Sequence, residues 1–206
     1  MAERALLAQL AAEWAEHAAQ LADDGPRTQA ARPPLPATPL ALFAQLEDVL
    51  ESWRQLRRQP LEELAARYAN GSWTLKDLLG HLATWAHEFR REVETVTRGE
   101  AFDYVIPFAL SVVGPNEWNN RQAAAQRPVP LAEILASFEA DTRWFQDQVL
   151  ALPEAALYGE AHFPLSPSGD PTALFKAPIA FLALGKCQHD SYHLGQIREL
   201  LERWTR

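Results

Sequence analysis

Cysteine is nearly missing from this chain. Cys187 is the only one in 206 residues, which excludes an internal disulfide and any cysteine-rich zinc site. Basic clusters are missing as well. Lys and Arg total 19 against 27 Asp and Glu, a formal net charge of −8. Nucleic acid is therefore not an expected partner, because phosphate binding draws on clustered cations. The same charge speaks against an anionic membrane surface. No stretch approaches the ~20 uninterrupted apolar residues that span a bilayer. Near the N-terminus, Glu13 and Glu16 break the apolar run that a signal peptide needs. Strand signals are almost absent, since no alternating Val/Ile/Thr run of useful length occurs. Together these absences predict a reduced, cytoplasmic, helical protein.

Large aromatics are plentiful, with seven Trp and nine Phe, and such a chain folds rather than staying disordered. The length suits one domain with an appendage. Residues 3–22 are rich in Ala, Leu, Glu and Gln and predict a first helix. Residues 26–39 carry five prolines and predict an extended linker. A second helix is expected over about 39–58, with Leu42, Leu46, Val49, Trp53 and Leu56 as its apolar stripe. A third, capped by Ser72 or Thr74, should run over about 74–98. The stretch 99–130 is broken by glycine and proline, with room for a short helix after Pro115. Leu131 to about Leu152 regains helical periodicity through Ile134, Leu135, Phe138, Phe145 and Val149. A last helix is expected from about Ala173 to Trp204, with Pro178 in its first turns or at its true start. Four long helices with two lengthy connections predict an all-α four-helix bundle preceded by an extra N-terminal helix.

The chemistry gathers near the C-terminus, in KCQHDSYHLGQ. Scattered histidines produce an i, i+4 pair by chance often enough that the spacing alone carries little. On a helix, however, His189 and His193 stand roughly 40° apart and face one point. Their face is mostly apolar, and an imidazole buried there needs partners for its nitrogens; a metal ion is one such partner. A third ligand must come from another helix, and His81, His87, His17 and His162 are the candidates. His81 stands out because Asp77, Trp85 and Glu88 lie within about 60° of it, while His87 is turned away by roughly 120°. The competing reading is three separately hydrogen-bonded histidines.

Other side chains fall nearby. Glu88, two turns beyond His81, is either a general base or an exposed carboxylate. Asp77 serves the start of its helix. The NEWNN segment offers Glu117 and the amides of Asn116, Asn119 and Asn120, either for capping or for lining a pocket. Tyr192 and Gln196 flank the histidine face and are candidate substrate contacts. Cys187 points elsewhere and is neither ligand nor nucleophile. Trp85 reads as core.

SWTLKDLLGHLATWAHEF (72–89) and KCQHDSYHLGQIRELL (186–201) resemble the two signature helices of the DinB/YfiT-like superfamily of metal-dependent four-helix-bundle proteins. Residues 116–157 resemble the third-helix region of one branch, the ClbS/DfsB-like proteins. The likeness covers 38–206 and predicts a DinB-like bundle there. Residues 1–37 form a separate segment that either packs on the bundle or mediates a homodimer. The resemblance implies a metal triad of His81, His189 and His193. All-imidazole ligation suits Zn²⁺ or Ni²⁺, whereas Mg²⁺ and Ca²⁺ prefer oxygen. It also implies an enzyme acting on a small electrophilic substrate, with a low-molecular-weight thiol as co-substrate in S-transfer or isomerisation, or with water in hydrolysis. The alternative it leaves is a non-catalytic stress or self-resistance protein that binds a metal or sequesters a small molecule.

Overall fold

The computed structural model describes residues 39–98, 115–159, 161–163, 175–177 and 179–204. The expected N-terminal helix with His17, almost all of the proline-rich linker, and the first half of the 99–130 stretch lie outside these residues. Seven helices are described: α1 (Pro39–Leu56), α2 (Leu61–Leu64), α3 (Leu75–Thr97), α4 (Pro115–Gln126), α5 (Leu131–Ala151), α6 (Glu154–Tyr158) and α7 (Ile179–Trp204). None of them is long and apolar enough to cross a membrane.

The four long helices form the expected bundle. α3 packs most extensively on α5 and also on α7, and α1 packs on α7 and α5. The helices therefore run round the core in the order α3, α5, α1, α7. The predicted stripes are the ones that are buried: Leu42, Leu46, Val49, Trp53 and Leu56 on α1, and Ile134, Leu135, Phe138, Phe145 and Val149 on α5. Trp53 meets Phe138 at 4.2 Å between ring centroids, filling one half of the core.

Two details differ from expectation. Strands do occur, as two short antiparallel pairs: β1 (Tyr68–Asn70) with β2 (Trp73–Thr74), and β3 (Ala161–Phe163) with β4 (Phe175–Ala177). Strands of two or three residues are too short to leave an alternating pattern. The first pair turns at Gly71, whose φ of +54° is in the left-handed region that favours glycine. The last helix begins at Ile179, the later of the two expected starts, and residues 175–177 are extended. The stretch after Leu152, read from the sequence only as a connection between two helices, contains α6 as well as β3.

α3 starts with a reciprocal cap. The Thr74 amide donates to Asp77 Oδ2 at 2.9 Å, and the Asp77 amide donates to Thr74 Oγ1 at 3.2 Å. Arg127, just past α4, closes on the same carboxylate through Nε (2.8 Å) and Nη2 (3.2 Å). Asp77 thus ties the α4–α5 connection to the first turn of α3. Gly80 allows α4 to come close, since a Cβ there would lie 2.9 Å from Gln126 Cβ. Burial is the largest influence on the Asp77 carboxyl and opposes its charge. Arg127 and the two Thr74 bonds outweigh it and hold the group below the usual carboxylate range. A depressed carboxyl stabilises the fold above its unfolded pKa and loses that contribution as pH falls through the folded value. Asp77→Asn is accordingly expected to cost about 1–2 kcal/mol at neutral pH. In urea melts run from pH 7 down to 2.5, its difference from wild type should begin to shrink below about pH 4 and keep shrinking as pH falls further; a difference that stays constant over that range would remove the charge from this account.

Candidate metal centre

His81 sits on α3, one turn beyond Asp77, and is 5% exposed. His189 and His193 lie on one face of α7, partly exposed. The packing of α3 on α7 brings all three together. His81 Nε2 is 3.2 Å from His189 Nε2 and 3.2 Å from His193 Nε2, and the three ligand atoms lie within 4.8 Å of one another. This is the trio that the sequence pattern singled out. His87 is turned outward, its side chain 64% exposed and 3.5 Å from Asp141. The backbone of His162 is in β3, paired with Lys176.

What surrounds the two α7 histidines decides where their lone pairs point. His189 Nδ1 lies 2.9 Å from Asp190 Oδ1. A carboxylate oxygen accepts only, so Nδ1 carries the proton and Nε2 keeps its lone pair. His193 Nδ1 lies 2.9 Å from Gln196 Oε1, and the other end of that amide donates to the Tyr192 hydroxyl at 2.9 Å. The orientation of the amide again puts the proton on Nδ1. Two lone pairs therefore converge on the third nitrogen, an arrangement that needs a cation or a shared proton to be favourable. Three nitrogens about 2.0–2.1 Å from one ion in a tetrahedral array stand about 3.3 Å apart. The observed 3.2 Å separations fit such an ion.

Aromatic rings close the site. Trp73 and Trp85 flank the His81 ring at 5.2 and 6.3 Å, and Trp85 and Phe89 stand 5.5 and 6.2 Å from His189. α4 holds both indoles: Trp85 Nε1 donates to Asn119 Oδ1 at 3.1 Å and Trp73 Nε1 to Asn120 Oδ1 at 2.6 Å. The NEWNN segment thus neither ligates nor merely caps, because two of its amides anchor the walls of the site. Asn116 lies in the first turn of the same helix. Trp85 belongs to the core, as expected, and lines the site as well.

The two candidate bases are engaged elsewhere. Glu88 accepts from Arg91 Nε at 2.9 Å, and its Cα is about 10 Å of helix rise beyond His81. Glu117 is exposed and paired to Arg121. Cys187 is buried, and burial followed by the charge of Asp190 pushes its thiol up to about 12. It is no nucleophile at neutral pH.

Asp190 and Lys186 did not emerge from the sequence as site residues. Both are fully buried, and the Lys186 ammonium donates to Asp190 Oδ2. Burial is again the largest influence on Asp190 and opposes its charge. Lys186 and the His189 bond prevail and hold the carboxyl below its usual range. The only advance signal was a Lys and an Asp four residues apart just after the apolar run IAFLAL, a pattern that usually marks a solvated face.

A mostly helical bundle with three convergent imidazoles between its second and fourth long helices defines a class of histidine-lined helical proteins. Within that class the chain belongs to the DinB superfamily, whose profile matches residues 42–197. Comparison with curated protein sequences finds no match. Among solved structures, the fold is similar to that of the mycothiol-dependent maleylpyruvate isomerase, with a TM-score of 0.58 and 14% identity over 77% of this chain. The chain spans 60% of that protein's length, and at this identity the likeness concerns the fold.

Proposed function

We propose that this protein is a metal-dependent enzyme in which His81, His189 and His193 hold a divalent transition metal ion, zinc or nickel. A small electrophilic substrate would be its target, with a low-molecular-weight thiol as the second reactant. The observation that carries this reading is the convergence of three Nε2 atoms, two of them with their Nδ1 protons already engaged. A bound divalent ion with an open position lowers the pKa of a coordinated thiol or water and supplies an anionic nucleophile near neutral pH. The chain's own part is to orient and to exclude water. Asp190 and Gln196 fix the two rings, and Trp73, Trp85 and Phe89 form dry walls. Tyr192, half-buried beside His193, and Asn116 are the side chains we assign to substrate.

The pairing of Glu88 and Glu117 with arginines favours thiol transfer or thiol-assisted isomerisation over hydrolysis, which makes the greater demand on a protein base. It also favours the second reading, a non-catalytic protein of the ClbS/DfsB-like branch that protects its cell by sequestering a reactive small molecule. In either case we place the protein in the cytoplasm and assign the bundle to residues 38–206. Residues 1–37 are then an appendage, available to a homodimer contact.

Metal analysis of the purified protein tests the site itself. One equivalent of zinc or nickel is expected, falling to background in the triple variant His81→Ala/His189→Ala/His193→Ala. Full metal content in that variant would sink the reading. A screen pairing cytosolic thiols with electrophiles, run with and without metal, then separates the two functions: metal-dependent conjugation supports the enzyme, and tight binding without turnover supports sequestration.

A further inference from the structure

The least expected group in the core is Lys186. Its side chain is wholly buried, and its ammonium donates to Asp190 Oδ2 and, at 3.1 Å, to Thr142 Oγ1. Three phenyl rings surround it, those of Phe138, Phe145 and Phe89, with centroids 5.3, 5.7 and 5.7 Å from Nζ. An ammonium has three donors and a compact charge. Here two oxygens and the faces of three rings take up that charge. Buried ion pairs seldom stabilise more than apolar residues of equal volume would, so stability alone gives little reason for this one.

The carboxylate of Asp190 is divided between two partners. Lys186 takes Oδ2, and Oδ1 faces His189 Nδ1. Thr142, Phe138 and Phe145 all belong to α5, a helix that supplies none of the three histidines. An unbroken line of contacts therefore runs from α5 through Lys186 and Asp190 to His189 Nε2.

We propose that Lys186 is a positioning residue for the candidate metal centre: by gripping Asp190 Oδ2 it fixes Oδ1 on His189 Nδ1 and so aims His189 Nε2 at His81 and His193. This rests on reading the three histidines as a metal site. Outer partners of a metal-ligating histidine typically contribute about 10–100-fold in affinity, and Lys186 would exert that effect through Asp190.

The test compares Lys186→Met, Asp190→Leu and the double variant with wild type, by zinc competition against a chromophoric chelator. The His189 tautomer in the metal-free protein is read independently from imidazole ¹⁵N shifts. Lys186→Met is expected to weaken zinc binding about 10–100-fold and to abolish the preference for the Nδ1–H form. The double variant should lose the same factor as either single change rather than the product, because the two residues act in series. Having lost both charges, it should melt near the wild-type temperature, so its weaker binding could not be ascribed to unfolding. If Lys186→Met does not fold, Thr142→Val withdraws the second anchor of Lys186 and should move affinity and tautomer in the same direction. Zinc affinity within twofold of wild type, with an unchanged tautomer, in Lys186→Met or in its Thr142→Val substitute overturns the proposal. If wild type binds no zinc, the metal reading fails, and the tautomer measurement still decides whether Lys186 orients His189.

Discussion

Zinc at a thousandfold excess over its dissociation constant is expected to stabilise the wild-type protein by about 4 kcal/mol, and His81→Ala should erase most of that gain. For a chain of this length the gain corresponds to a rise of roughly 8–16 °C in Tm. The size of the effect depends on where the ligands come from. His189 and His193 lie on the same helix, so an ion held by them alone joins no two parts of the fold. Such an i, i+4 pair also binds weakly in the unfolded chain, which subtracts from any stabilisation. His81 comes from α3, and its Nε2 is the atom that both α7 nitrogens approach at 3.2 Å. An ion shared across that gap cross-links two helices in the folded state only. Thermal melts of wild type and His81→Ala, each with and without zinc, give the comparison directly. A zinc-induced shift in His81→Ala equal to that of wild type would mean that the ion binds elsewhere.

Much of this centre was legible in the sequence because helical periodicity is a geometric statement. Once 74–98 and the last segment are helices, the faces of His81, His189 and His193 follow from 100° per residue. That His81 meets the other two depends on which helices are neighbours, and the resemblance to a family supplied that step before the packing of α3 on α7 did. The supporting groups were illegible for a different reason. Asn119 and Asn120 look like capping residues, and only the approach of α4 to α3 makes them acceptors for two indoles. Lys186 and Asp190 look like a solvated pair, and only the phenyl rings of α5 show that they are enclosed. Glu88 shares the His81 face, yet Arg91, one turn on, takes its carboxylate. The two strand pairs escaped because two or three residues are too few to display an alternation.

Phe138→Ala is expected to cost about 3–5 kcal/mol. Phe138 is 0% exposed, lies 4.2 Å from Trp53 on one side, and presents its ring to the Lys186 ammonium at 5.3 Å on the other. Truncation opens a cavity between α1 and α5 that Trp53 cannot fill, being itself fully buried and confined by Val49, Leu56 and their neighbours. It also removes one face of the cage around a charge that has no solvent to fall back on, and exposing that charge to a void adds to the loss. Phe138→Leu restores most of the volume but not the ring, and core exchanges that nearly conserve volume usually cost less than about 1.5 kcal/mol. Urea denaturation of the two variants separates the contributions. If the alanine and leucine variants differ by the cavity alone, each should keep the same coupling to Lys186→Met in a double-mutant cycle. If the ring face matters to the ammonium, adding Lys186→Met should cost less in both Phe138 variants than in wild type. A Phe138→Ala loss below about 2 kcal/mol would mean that the helices collapse onto the gap, and that α5 holds Lys186 less firmly than its burial indicates.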